Sequence, residues 1–404
     1  MLKKILCSTA FALLLTASAQ AACSFKNDVP VKSLTAGFEA WKAVTGVMAE
    51  CGNFTADLDQ EFAKKQSTAM AANPSLYQIG GVANETLVPL LSGGLIRPLD
   101  ALVAKYGQKL QPNQLVKIDG KIMAIAMMVN AQHLMYREDI LKSLGIAVPK
   151  TYDEVLAAAE KIKAAKAIDY PLGGTYKTGW NLGEEFTNMY LGFGGTFFDS
   201  ANKTLVTGEA GIKTLNMMKA LTAYMDPEYL TSDSTVLQKQ FQQGKVAMAN
   251  LWASRAGALD DVKESKVVGK VAMAAAPAAA AGGKPATTLW WDGITIAKNI
   301  SDAEADAAFR LAMEGLDERM VKANNDAAVW LVKGFVPGRL AAGAVASAEG
   351  GAPSYPASPA LGIMQAATGN NVADFLTGKK TAAETLTAVE AEYNAKAKEI
   401  GLLK

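Results

Sequence analysis

The chain has 404 residues, half of them apolar, with 40 basic against 39 acidic side chains and a single histidine. A nucleic acid or an anionic membrane surface would need clustered positive charge, and this balance argues against both as partners. At this length two domains, each with its own core, are expected.

Residues 1–21, MLKKILCSTAFALLLTASAQA, carry two lysines, an apolar run from Ile5 to Leu15 and an Ala19-Gln20-Ala21 ending. That is the layout of an export signal cleaved near Ala21, and the run is too short to span a bilayer. A leucine-like residue three before Cys23 would point to a lipid anchor, but Gln20 stands there. Cleavage removes Lys3, Lys4 and Cys7, which leaves acidic residues one ahead of basic ones and leaves Cys23 and Cys51 as the cysteines. The expected product is a soluble protein of the periplasm. An even pair in an oxidising compartment is read first as a disulfide, and two buried free thiols are the alternative.

Downstream, short apolar runs alternate with helical stretches. LTAGFEAWKAVTG, from Leu34, predicts an amphipathic helix ended by Gly46, and VMAECGNF a strand. DLDQEFAKKQSTAMA predicts a helix, SLYQIGGV a strand, and ETLVPLLSGGLIRPLDALVAKYG two helices around a Gly-Gly turn. DGKIMAIAMMVNAQHLMYREDI predicts two strands meeting around Val129 to Gln132. TYDEVLAAAEKIKAA opens with a Thr-x-x-Glu capping box. FTNMYLGFGGTFFD predicts a helix stopped by glycines, and VLQKQFQQGKVAMANLW a helix, a turn at Gly244 and a strand. AAAPAAAAGGKPA reads as an exposed connection, TTLWWDGITIAKN as a strand, and SDAEADAAFRLAMEGL as a helix capped by Ser301. The alternation specifies an α/β fold with crossover helices.

Catalytic groups are sparse. His133 would have to serve any histidine triad, and its place on a strand-like segment favours a structural role. One histidine and a probable cysteine pair leave no zinc set, so no metal or cofactor is expected. GFGGTFF lacks the third glycine of a dinucleotide fingerprint. Glu184 and Glu185 are adjacent, so they point apart on a helix and read as a solvated face rather than a glycosidase pair. An enzyme is not expected.

Three segments in this order carry a resemblance. DGKIMAIAMMVNAQHLMYREDILKSLGIAVPKTYDEVLAAAEKI, FQQGKVAMANLWA and WWDGITIAKN are similar to the extracellular solute-binding proteins of bacterial ABC importers, the sugar-binding group related to the maltose-binding protein. The resemblance implies the two-lobed type II periplasmic-binding-protein fold, each lobe a sheet flanked by helices, joined by crossing hinge strands around a ligand cleft. It divides the chain into an N-terminal lobe of 22–129 plus 293–331 and a C-terminal lobe of 130–292 plus 332–404. Crossings are implied near Val129 to Ala131, Trp291 to Ile294 and Leu331 to Val336.

On this reading the protein is a monomeric receptor that binds a sugar, polyol or short oligosaccharide. It passes the solute to the transmembrane permease subunits and their ATPase. Trp252 is the implied stacking residue, with Trp180 and one of the Trp290–Trp291 doublet, Trp291 by preference, facing the cleft. Trp41 and Trp330 are assigned to packing. Asn27 and Asp28, taken to follow the first strand, and Asn84, after the third, are polar candidates because open α/β sheets bind ligands at strand ends. Asn130 matches a crossing position where the maltose-binding protein often has a carboxylate, a departure that speaks against maltodextrin. Asp292, Arg255 and Arg339 complete the candidate set. Two other readings stay open: a secreted carbohydrate-active enzyme, and a receptor for a polyamine or other cationic solute, for which Asp28, Glu184, Glu185 and Asp292 would supply carboxylates.

Overall fold

In the computed structural model, which describes residues 23–356 and 358–403, eleven strands form two separate sheets. The export signal expected at 1–21 lies outside the described residues. The strands are β1 (Asn27–Thr35), β2 (Gly52–Leu58), β3 (Ile79–Ala83), β4 (Leu115–Ile118), β5 (Lys121–Asn130), β6 (Gln132–Arg137), β7 (Tyr170–Gly173), β8 (Val246–Trp252), β9 (Val271–Ala274), β10 (Trp290–Ile296) and β11 (Val329–Trp330). The larger sheet runs β11-β5-β10-β3-β1-β2, with β4 also on β5, and the smaller runs β7-β8-β6-β9.

β1 is parallel to β2 and β3, and each parallel step is bridged by a helix, Glu39–Ala49 and then Phe62–Ala71. A parallel pair requires such a crossover. β10 enters antiparallel between β3 and β5, with a register shift at Asp292 and Gly293. A Cβ at Gly293 would lie 2.3 Å from the Ile125 carbonyl oxygen, so only glycine lets the irregular strand close on its neighbour. KIMAIAMMVN of β5 is buried almost throughout, as a strand covered on both faces must be.

Each sheet has its own core. Val31, Trp41, Ile125, Met127, Ile294 and Phe309 pack in one cluster, and Leu134, Phe186, Tyr190, Met248, Leu386 and Tyr393 in another. Trp41 belongs to helix Glu39–Ala49, which buries Ala40, Trp41, Val44, Thr45 and Met48 on one face against helix Asp302–Gly315. The latter is started by a complete capping box of Ser301 and Glu304. The box expected at Thr151 is half formed: Thr151 accepts from the Glu154 backbone N–H, but Glu154 turns to the N–H of Lys150.

The chain passes between sheets three times. The first passage takes one residue, Ala131, between β5 and β6. The second lies between β9 and β10, so it ends before Trp290, and the doublet expected to form the crossing is already in the larger sheet. Asn130, likewise, closes β5 of the larger sheet rather than opening the other lobe. The third follows β11 and leads to helix Ala342–Glu349 on β6 and β9. Gly343 allows that contact, because a Cβ there would meet the His133 ring at 2.2 Å.

Several boundaries shift. Leu34 ends in β1 and the first helix runs on through Val47 to Ala49, so β2 starts only at Gly52. The alanine-rich connection is exposed at its tip, but Ala276 and Ala278 are buried and Ala278 bridges to Thr151 and Pro285.

Cys23 and Cys51 are joined as a disulfide with a Cα–Cα distance of 5.0 Å. It ties the segment before β1 to the end of the first helix, closing a loop with a sequence separation of 28. In the chain-entropy model Cys23→Ser costs about 3 to 4 kcal/mol. Urea unfolding checks this, since the deficit should vanish when the parent is measured under reducing conditions.

His133 is buried in β6 with no partner for Nε2, and burial holds its imidazole down at about 4. The unfolded chain takes up this proton near 6.5 and the folded chain only near 4, so stability present above 6.5 is lost as pH falls between them. The loss by pH 4 is about 3 kcal/mol. Urea denaturation at pH 7 and pH 4 should show His133→Gln losing less than the parent by roughly that amount. Equal losses would assign the acid sensitivity elsewhere.

Candidate functional site

β6 and β8 pair with Gln132 opposite Trp252, while β10 and β5 pair with Trp290 opposite Asn130. Asn130 and Gln132 flank the single crossing residue, so two tryptophans from different sheets are brought to the same passage. Their ring centroids are 5.8 Å apart at 89°. Trp180 begins helix Trp180–Gly192 directly after Gly179, whose φ of 90° turns the chain into the helix. Its ring lies 6.2 Å from Trp252 and 5.8 Å from Trp290. Tyr355 covers Trp290 at 4.0 Å. Trp252 and Trp290 are 7% and 5% exposed, whereas Trp180 is 41% exposed and supplies the open aromatic plane.

Both neighbouring indole N–H groups end on carboxylates. Trp180 Nε1 donates to Glu85 Oε2 at 2.7 Å. Glu85 lies on helix Asn84–Ser92 after β3, so this bond joins the two lobes. Trp290 Nε1 donates to Glu184 Oε1 at 3.1 Å and to Thr288 Oγ1 at 3.0 Å.

Glu184 and Glu185 are buried, not a solvated face. Their side chains diverge as adjacent helix positions must. Glu185 accepts from the Thr175 backbone N–H, the Thr175 hydroxyl and Gln132 Nε2. Gln132 accepts from Asn188, and Asn188 from the Thr288 hydroxyl, which completes a buried polar layer beneath the indoles. Burial raises Glu184 to about 8, with the charge of Glu85 adding to the effect. Burial also raises Glu185 against the pull of its three donors, and raises Glu85 against the Trp180 bond. Glu184 Oε2 is buried without a partner.

The structure brings together Trp180 and Trp252 of the expected residues and sets others around them. Asn84 accepts from the Trp291 backbone N–H at 2.8 Å and so pins the start of β10 to the end of β3. Asn130 exchanges bonds with Ser254, its Nδ2 donating to the hydroxyl and its Oδ1 accepting from the backbone N–H, which ties the crossing to the segment after Trp252. Asp292 sits in β10, where burial raises its carboxyl to about 7. Trp290 rather than Trp291 joins the indoles; Trp291 faces the other way, as strand alternation requires, and packs on the core of the larger sheet.

Asn27 and Asp28 stand at the start of β1, not its end. Asn27 bonds the backbone of Val29 and Asn53, and exposed Asp28 pairs with Lys26 at 3.3 Å. Arg255 donates to Gln238 at 3.2 Å, and burial lowers its pKa against the opposing charges of Asp233 and Glu39. Arg339 pairs with Asp260 and the Val271 carbonyl, a partly exposed ion pair. Trp41 and Trp330 are buried, Trp330 donating to the Asn324 carbonyl. Glu85 and Tyr355 were not among the expected residues, and Glu184 was read with Glu185 as a mainly solvated face. Glu85 follows Asn84 and was within reach of the strand-end rule, whereas Tyr355 lies in an aperiodic loop with no signal of its own.

The model of the bacterial extracellular solute-binding protein family matches residues 42–313. A probable ABC transporter-binding protein of Deinococcus radiodurans is 27% identical over 268 residues, covering 63% of this chain and 61% of that protein. A probable sugar-binding periplasmic protein of Mesorhizobium japonicum is 28% identical over 255 residues, covering 58% of this chain and 59% of that one. The matched part thus spans about three fifths of these relatives. The fold is that of a solute-binding protein from Agrobacterium radiobacter K84 solved in complex with ribitol, with a TM-score of 0.81 at 19% identity over 92% of this chain and all of that one. With the family match taking in well over half of the residues, the chain belongs to the bacterial extracellular solute-binding proteins.

Proposed function

We propose that this protein is the periplasmic receptor of an ABC importer for a sugar, polyol or short oligosaccharide, and that the solute binds where Trp180, Trp252 and Trp290 meet between the lobes. The observation that carries this reading is the convergence of three indoles at the interlobe passage, with buried carboxylates behind them. A sugar or extended polyol presents C–H groups on one side and hydroxyls at its edge. An indole supplies a rigid apolar plane for the first, and carboxylates accept from the second. The ribitol bound by the Agrobacterium protein and the name of the Mesorhizobium relative support the same solute class.

Solute touching both lobes favours the closed arrangement by its extra affinity for it, and the closed surface is what a permease would read. The Trp180–Glu85 bond supports this reading, because it links helix Trp180–Gly192 to helix Asn84–Ser92 of the other lobe. Micromolar affinity amounts to about −8 kcal/mol, within reach of stacked rings and several buried hydrogen bonds after ordering costs. Unchanged recovery of the solute separates a receptor from a carbohydrate-active enzyme.

A thermal-shift screen over ribitol, mannitol, monosaccharides and disaccharides should raise the melting temperature with at least one of them. For that solute, Trp252→Ala and Trp180→Ala should each weaken binding about tenfold or more by calorimetry, a loss of about 1.4 kcal/mol. Affinities unchanged in both variants would move the site away from the indoles.

A further inference from the structure

The indole cluster is bordered by two carboxylates from opposite lobes, Glu85 and Glu184, and among the described residues neither forms a salt bridge. Glu184 is fully buried; Oε1 accepts from Trp290 Nε1, while Oε2 has no partner. Glu85 approaches from helix Asn84–Ser92 and has Trp180 as its donor. The groups that face Glu184 are Glu185 on its own helix, Glu85 from the other lobe, the Tyr355 phenol from the loop beyond helix Ala342–Glu349, and the neutral Thr288, Trp290 and Asn188. Among the described residues, no lysine, arginine or histidine contributes to the titration of Glu85, Glu184 or Glu185. Glu184 instead feels the charge of Glu85, and Tyr355 feels both.

A buried carboxylate without a counter-charge is costly, and two that share a site are more so. Hydroxyl groups of a neutral guest satisfy the oxygens but bring no counter-charge for the ionised form. An ammonium group brings the charge and three N–H donors, and the faces of tryptophan rings attract cations best of all side chains. Three indoles within 6.2 Å of one another, with Tyr355 on Trp290, form such a surface beside both carboxylates.

We infer that the solute is an amine-bearing sugar or polyol whose ammonium group sits between Glu85 and Glu184 against the indoles. This rests on the carbohydrate and polyol reading above and narrows it. Binding such a group favours ionised Glu184, so solute uptake near neutral pH releases protons.

Isothermal titration calorimetry at pH 7 on the intact mature protein tests this with matched pairs: glucosamine and glucose, 1-amino-1-deoxyglucitol and glucitol, chitosan disaccharide and cellobiose. In at least one pair the amine should bind about tenfold or more tighter, and its enthalpy should vary with the ionisation enthalpy of the buffer. The double variant Glu85→Gln, Glu184→Gln should bring that pair to within about threefold while melting no lower than the parent. Hydroxyl members that bind as tightly as their amines in every pair that binds, or an amine preference that survives in a folded double variant, overturn the inference and leave the carbohydrate reading standing. Failure of every member of every pair to bind overturns both.

Discussion

Asn130 and Gln132 are separated by one residue and belong to different sheets. Everything at the candidate site depends on that constraint. Backbone pairing sets Trp290 opposite the first and Trp252 opposite the second, so the two rings meet without any long loop to position them. Asn130 reinforces the junction through Ser254, and Gln132 reaches down to Glu185 and Asn188. The same two residues therefore hold the hinge, the aromatic surface and the polar layer below it. A motion between lobes would pivot on the passage that also carries the rings.

The polar layer is unusual in its charge. Three glutamates lie at or near the passage, and burial disfavours their ionised forms. Glu185 is offset by three donors and reads as part of the support. Glu184 is less completely satisfied, and the unpartnered oxygen lies with the carboxyl group next to the aromatic surface. A cation placed there, as proposed above, would favour the ionised form that burial disfavours.

Much of the organisation was legible in the sequence. Alternating helical and strand periods specified an α/β chain, Ser301 and Glu304 marked a helix start, and an even cysteine pair marked the Cys23–Cys51 bond. The run into Trp252 predicted a strand ending near Asn250, and β8 runs on to Trp252. Errors arose where one residue of register decides the outcome. Trp290 and Trp291 are equivalent in composition, and only pairing with β5 shows which faces the indoles. Asn27 was assigned to the wrong end of β1 because apolar runs mark a strand's existence better than its limits.

What the sequence by itself determined is the local and the repetitive: periods, caps, turns, the paired cysteines and the scarcity of catalytic groups. Tertiary structure alone decided that Glu184 is buried under an indole, that Glu85 crosses to Trp180, and that Tyr355 covers Trp290. These contacts join residues more than 60 positions apart, up to 106 for Glu184 and Trp290. No local pattern encodes such distances, because burial and charge at those positions come from packing two lobes around one crossing rather than from neighbours along the chain.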